Sequence, residues 1–368
     1  MDFCSRENLK YELFSNIPKI QGKDIVIYGM GNTACLCQEG FERLAKEGFY
    51  VTAYCDSDLE KLKQKDFCGK PVVCFEELID RRDSICVLIC TPVPEFVNEI
   101  AVKLKAYGLS YYLLDEVIIK QHAAEVLECY DLLDGEESRN VYADIILSHI
   151  QGRYPKEESC MYGCAYFALN RFRARNRPEV FIDCGSYVGE NIEQYIWSRD
   201  GVFDKIIAFE PDADNYSAML NRIRRLKSEW NFKSDAIQVF PYGVADKSMN
   251  MIFESHSEDN GLGSKFITAS DTESDKKGYS RVVSIDDQVQ DKYTFLKADI
   301  ESYEYKMILG AKDGICRHKP LLAICIYHNA VDLYSIPLLI HSLVKEYHLA
   351  VRHHSNTLLE TVLYCWCD

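Results

Sequence analysis

Twice along the chain an apolar run stops at a glycine-containing turn, a helical stretch follows, and a second apolar run ends in an acid. The first instance is "DIVIYGMGNTACLCQEGFERLAKEGFYVTAYCDSD", Asp24 to Asp58. The second opens with "EVFIDCGSYVGEN", Glu179 to Asn191, and reaches its acid in "KIIAFEPDADN", Lys205 to Asn215. Two parallel strands need a long crossover between them, and a helix supplies it. Strands alternating with helices therefore indicate βαβ units and parallel sheets. Two such starts in 368 residues, more than one ordinary core accommodates, predict two doubly wound α/β domains.

The first domain, residues 1–117, continues through a strand at "CVLICTP" and a helix around Glu95–Tyr107, and closes near "YYLLDEV". Residues 118–178 read as a helical connector. "AAEVLECYDLL" and "VYADIILSHI" carry apolar residues at helical spacing, interrupted by "DGEESRN". The second domain, residues 179–368, adds strands at "AIQVFP", "MNMIFES", "RVVSID", "YTFLKAD" and "LLAICIY", then a terminal hairpin from "LAVRHH" and "TVLYCW". The polar stretch Ser255–Ser280 is long for a structureless loop and reads as a mobile lid or a partly disordered segment.

A net charge of −15 argues against nucleic acid, whose phosphates need a basic footprint. It is compatible with a small-molecule or neutral glycan partner. No basic segment leading into an apolar stretch opens the sequence, and no run reaches the ~18–20 apolar residues that span a bilayer. Sixteen cysteines scatter through core strands, where a reduced thiol behaves as a small hydrophobe. The expectation is a cytoplasmic protein, with a homodimer left open.

Ligands of open α/β sheets collect at the carboxyl ends of strands, where strand order reverses. The spacing Asp183-x-Gly185-x-x-x-Gly189 lets the backbone turn tightly and approach a ligand. It is not the Gly-x-Gly-x-x-Gly that seats a pyrophosphate on a helix. An aspartate ahead of the turn repels a pyrophosphate and attracts an ammonium. Glu210, ending the next strand, can accept two hydrogen bonds from ribose hydroxyls. A ribose and a cationic amino-acid end without phosphate describe S-adenosylmethionine. The blander alternative has Asp183 and Glu210 capping helices and the glycines serving packing.

These residues resemble a known family. "VFIDCGSYVGEN", "IIAFEPDADN", "FLKADIESYEYKMILGA", "LAICIYHNAVDLYSIPLLI" and "ETVLYC", in that order, are similar to the FkbM family of S-adenosylmethionine-dependent methyltransferases. The resemblance covers about Glu179 to Cys365. It implies a class I methyltransferase fold, with a seven-stranded sheet whose last strand is antiparallel, and O-methylation, often of sugars or polyketide-type hydroxyls. By the resemblance Asp183, Gly185 and Gly189 form the first cofactor motif and Glu210 is the ribose-binding acid. Asp299, Glu301 and Glu304 match an Asp-x-Glu-Gly-x-Glu block, with Ser302 where the family usually has glycine and Tyr303 where a small residue is common. Tyr327, His328 and Asp332 match a further block.

Methyl transfer to a hydroxyl needs the acceptor aimed at the methyl carbon and its proton removed. Asp299 and Glu301 end the "TFLKAD" strand, and His328 ends the "AICIYH" strand. His328 is the first candidate base because its intrinsic pKa lies near neutrality. Glu301 is the second, since neighbouring acids raise one another. The competing roles are a loop-fixing histidine and helix-capping acids. His353 and His354 end the following strand and are further histidines in reach of a substrate or exposed on the hairpin. Asp299, Glu301 and His328 offer metal-type ligand atoms, but nothing in their spacing requires an ion and no metal is assigned. Cys35/Cys37, Cys160/Cys164 and Cys365/Cys367 lack a matched second pair for zinc.

In the first domain, Gly29-x-Gly31-x-x-Ala34 lies between a strand and a helix, and Asp56 closes the next strand. This is a dinucleotide-type fingerprint, and the segment is similar to Rossmann-like domains fused to sugar-modifying enzymes. NAD or a nucleotide-sugar is its candidate ligand, and packing or dimerisation without a ligand is the alternative. The leading expectation is an O-methyltransferase acting on a sugar, glycan or related precursor. The alternatives are an NAD-dependent nucleotide-sugar oxidoreductase or epimerase, against which the missing Tyr-x-x-x-Lys counts, and a non-catalytic nucleotide-binding protein of a polysaccharide pathway.

Overall fold

The structure is a computed structural model that describes residues 5–173, 179–254, 265–267 and 277–368. The chain forms two compact units. The first comprises Met1–Cys160, Tyr327–Ser335 and Val351–Thr361; the second comprises Met161–Ile326, Ile336–Ala350 and Val362–Asp368.

In the first unit, β1 (Asp24–Tyr28), β2 (Val51–Cys55), β3 (Ile85–Ile89) and β4 (Tyr111–Leu113) form a sheet of order β2-β1-β3-β4, parallel throughout. Strand β3, Ile-Cys-Val-Leu-Ile, is buried at every position, as a parallel strand covered on both faces must be. The helix Pro94–Ala106 starts with proline, whose missing N–H costs nothing in the first turn.

Three more helices of this unit, Leu114–Gln121, Ala123–Leu132 and Gly135–Gln151, occupy the first part of the expected connector. The interruption expected over "DGEESRN" is only Leu133–Asp134. The next helix already begins at Gly135, with Glu136 and Glu137 favourably placed in its first turn. The helical pattern expected as far as Pro178 stops at Gly152, a left-handed C-cap. Beyond it lie two short 3₁₀ turns and the four-residue helix Asn170–Arg173.

A second sheet is formed by β5 (Val180–Cys184), β6 (Lys205–Phe209), β7 (Ile237–Phe240), β8 (Phe295–Ala298), β9 (Leu321–Cys325), β10 (His348–His353) and β11 (Thr361–Trp366), of which β5 to β9 lie wholly in the second unit. Its order is β10-β11-β9-β8-β5-β6-β7. Strands β5 to β9 are mutually parallel and β11 runs antiparallel to β9, the seven-stranded arrangement expected from sequence. Strand order reverses between β5 and β8, so the crevice of this sheet opens at their carboxyl ends. One face carries an aromatic core in which Phe181 stacks on Tyr195 at 4.4 Å and Phe167 and Phe172 meet Phe295 edge-on.

A smaller sheet pairs Met249–Glu254 antiparallel with Lys277–Val283 and with Lys265–Ile267. Parts of the polar stretch Ser255–Ser280 are thus strand; residues 255–264 and 268–276 lie outside the described residues. Among the described residues no helix is long and apolar enough to cross a membrane.

Candidate active site

Asp183, Gly185, Gly189, Glu210 and Asp299, singled out from sequence, come together at the carboxyl ends of β5, β6 and β8. Gly185 follows β5 directly with φ +76°, and a β-carbon there would overlap the Asp299 carbonyl. Only glycine lets the turn lie that close to the end of β8. Gly189, at φ +81°, is the N-cap of the helix Glu190–Ser198. The amides of Gly185 and Ser186 both donate to the Phe209 carbonyl, at 3.1 and 3.0 Å.

Glu210 is buried just beyond β6. Its Oε2 accepts from the Tyr187 amide at 2.8 Å and its Oε1 from the Asp212 amide at 2.9 Å. Each oxygen retains a lone pair. Burial pushes this carboxyl up to about 7, against those backbone hydrogen bonds, so it titrates near neutrality.

Asp183 behaves differently from its sequence expectation. It was expected to attract a ligand's ammonium; the ammonium beside it belongs to Lys297, 3.1 Å from Oδ1, and both side chains are fully buried. The cause is register. Lys297 of β8 lies directly opposite Asp183 of β5, and parallel neighbours in register point to the same face. Burial raises the Asp183 carboxyl, with Lys297 opposing. Burial also works against the Lys297 charge, but Asp183 and Asp299 outweigh it and hold the ammonium above the ordinary lysine range.

Asp299 follows β8, and its Oδ2 accepts from the Tyr166 hydroxyl at 2.7 Å. Glu301 and Ser302, at φ +55° and +73°, make a left-handed turn after it. Glu304 closes this turn, accepting the Ile300 amide at 2.7 Å. His328 lies in the Tyr327–Ser335 segment of the first unit, buried, with its ring tilted against Tyr327 at 4.2 Å between centroids. His353 is buried too. Its Nε2 donates to the Thr357 carbonyl and its Nδ1 meets Thr361, both at 2.8 Å, while burial lowers it to about 4. It is a neutral structural histidine.

In the first unit, Gly29 and Gly31 flank the turn after β1, and the acid at the end of β2 is already engaged. Asp56 accepts the Met30 amide at 2.6 Å and the Asp58 amide at 2.9 Å, and pairs with Lys61 at 3.3 Å. Burial raises this carboxyl, but those partners outweigh it and hold it below its ordinary value. Like Glu210, Asp56 accepts one backbone amide on each oxygen; it differs in that the Lys61 ammonium also occupies Oδ2, and nothing in this geometry adds support for NAD or a nucleotide-sugar.

Sequence reasoning missed Lys297 and Tyr166. A lysine inside the apolar run "YTFLKAD" was a signal, because a strand at the centre of a parallel sheet has no solvent for a charge. Tyr166 sits in a 3₁₀ turn, Ala165–Phe167, with no periodicity to mark it.

The sequence model of the FkbM methyltransferase domain matches residues 183–350, from the buried acid of β5 into β10. The chain carries an FkbM methyltransferase domain. With that domain goes S-adenosylmethionine-dependent methyl transfer. A methyltransferase FkbM from Methylobacillus flagellatus has a similar structure, with TM-score 0.56 and 20% identity over 99% of this chain and 98% of that one. At that identity the likeness shows the fold, and it extends beyond the FkbM domain to the whole chain. A methyltransferase of Podospora anserina solved with S-adenosylhomocysteine matches at 9% identity and TM-score 0.30, over 68% of this chain and 96% of that one. An O-methyltransferase of neocarzinostatin biosynthesis matches at 8% and 0.28, over 54% and 53%. Those two scores are too low to argue from. No curated protein matches the sequence. The left-handed backbone at position 302, φ +73°, accounts for the glycine usual in the family, which would be unstrained there; nothing in the structure explains the serine.

Proposed function

We propose that the FkbM domain methylates a hydroxyl of a sugar, glycan or related precursor, holding S-adenosylmethionine at the carboxyl ends of β5 and β6. The observation that carries the cofactor site is Glu210. It is a buried carboxylate with lone pairs to spare, beside a glycine turn pressed against the neighbouring strand. Such a residue suits ribose hydroxyls, and the acids around it disfavour a pyrophosphate. The sugar acceptor rests on the family resemblance.

Bound S-adenosylmethionine supplies an electrophilic methyl group. Glu210 would hold the ribose, and the Gly185 turn would face the rest of the cofactor. Asp183 acts within the protein, through Lys297. His328 is the proposed general base, because an imidazole takes a hydroxyl proton near neutral pH and the residue follows β9 by three positions. Glu301, in the turn after β8, is the second candidate. Asp299 is set aside as base because the Tyr166 hydroxyl already donates to its carboxylate.

Calorimetry on the full chain should detect S-adenosylhomocysteine and not NAD. Incubation with S-adenosylmethionine and a panel of nucleotide-sugars and simple glycosides should give a one-methyl mass gain on an acceptor. His328→Ala should then slow turnover by ~10²–10⁴-fold, the usual share of a general base, while cofactor affinity stays the same. Unchanged turnover would remove His328 from the chemistry, and binding of NAD alone would overturn the cofactor site.

A further inference from the structure

Lysine is among the residues least often buried without a partner, and Lys297 is fully buried in the middle of the second unit's sheet. Its ammonium does more than pair with Asp183. Its shortest bond, 2.7 Å, goes to the Gly185 carbonyl, and a longer one, 3.3 Å, goes to the Cys184 carbonyl. The Tyr166 ring covers it at 4.9 Å, and the hydroxyl of the same tyrosine donates to Asp299. A buried ammonium has three protons to satisfy, and an ion pair alone is often no better than apolar packing, so which acceptors take the remaining protons is informative. Here the cation is spent on the backbone of the turn itself.

The amides of that turn are tied to one side. The Gly185 and Ser186 amides donate to Phe209, and the Tyr187 amide donates to Glu210. All three anchors belong to β6 or to the residue after it. From the β8 side, across the point where strand order reverses, the Asp299 amide donates to the Cys184 carbonyl at 3.1 Å and Lys297 supplies the hydrogen bond to the Gly185 carbonyl itself. Because Asp183 is opposite it in register, the ammonium cannot swing away without leaving a buried carboxylate alone.

We propose that Lys297 is a positioning residue for methyl transfer, fixing the Gly185 turn through its carbonyl so that the turn is preorganised for the methyl donor. This rests on the assignment of that turn to the cofactor.

The test uses the full chain, with S-adenosylhomocysteine as the calorimetric probe and thermal melting alongside. Lys297→Met removes the charge at similar length. Lys297→Met combined with Asp183→Asn leaves no lone buried charge and guards against simple misfolding. Lys297→Arg keeps the charge and the donors. Affinity should fall by about tenfold or more in both Met variants, the loss of one hydrogen bond from a charged group. Lys297→Arg should recover most of it. A folded double variant that binds within about twofold of wild type overturns the proposal, and so does a Lys297→Arg variant that binds as weakly as Lys297→Met. If neither Met variant folds, the pair is a core ion pair and the positioning role is also overturned. Wild-type protein that binds no S-adenosylhomocysteine overturns the cofactor assignment itself, and the proposal falls with it.

Discussion

Glu210 carries a pH dependence whose sign can be worked out. Its carboxyl titrates at about 7 because it is buried. A raised acid is neutral below that value in the folded protein, whereas in the unfolded chain it has already ionised near its ordinary value. Burying its charge therefore costs stability that is absent at low pH, grows as pH rises from the ordinary carboxyl range, and is fully present above about 7. Ribose hydroxyls donate best to the ionised form, so cofactor binding recovers part of that cost. Affinity for S-adenosylhomocysteine should therefore weaken by about tenfold between pH 8 and pH 6, one pKa unit of protonation. Glu210→Gln, which cannot ionise, should bind more weakly at pH 8 and give a flatter profile. Equal slopes in the two proteins would mean that another group sets the dependence.

At the scale of elements, the turn after β8 holds strain that its sequence declares. Ser302 stands at φ +73° directly after Glu301 at φ +55°. Left-handed backbone costs a residue with a β-carbon ~1–2 kcal/mol, and glycine's extra flexibility offsets ~0.5–1 of any gain. The Ser302 hydroxyl is also buried with no hydrogen-bond partner among the described residues, a further cost. Ser302→Gly should stabilise the protein by about 1 kcal/mol and raise its melting temperature by roughly 2 °C, measured by calorimetry; a lower melting temperature would place the strain elsewhere. This turn also marks how far sequence carries. The strands were legible because parallel strands are short continuous apolar runs, and the seven-stranded sheet with its antiparallel last strand followed from the family resemblance. Glu210 and the Gly185 turn were legible because strand ends and glycines are local features. The Asp183–Lys297 pair was not. It joins residues far apart in sequence, and only the alignment of β5 with β8 decides that an acid expected to meet a ligand meets a lysine instead. The engagement of Asp56 with its own turn is of the same kind, set by side-chain geometry that spacing does not report.

At the scale of the molecule, the first compact unit is made of three pieces of chain, and two of them, Tyr327–Ser335 and Val351–Thr361, come from the C-terminal half. Within that unit these pieces are bonded to the helices that precede residue 152. The Tyr142 hydroxyl donates to the Leu333 carbonyl at 3.1 Å, Tyr334 stacks on His122 at 4.9 Å, and Arg352 pairs with Glu137 at 2.6 Å. Leu333 and Tyr334 are buried there. A division at residues 117 and 178, natural from sequence, therefore cuts through a unit instead of between two. We expect residues 179–368 expressed alone to expose Leu333 and Tyr334, lose those hydrogen bonds and fail to form a cooperatively folded domain. Each large buried side chain left in water forfeits ~1.5–3 kcal/mol, and a few such losses consume the ~5–15 kcal/mol that stabilises a typical domain. Far-ultraviolet circular dichroism on heating and gel filtration would distinguish the outcomes. A fragment that elutes as a compact species and melts sharply would show that the C-terminal segments are bystanders in the first unit. A fragment that aggregates or melts without a transition, beside a full chain that does neither, would show that the helices before residue 152 are required for the methyltransferase half to fold.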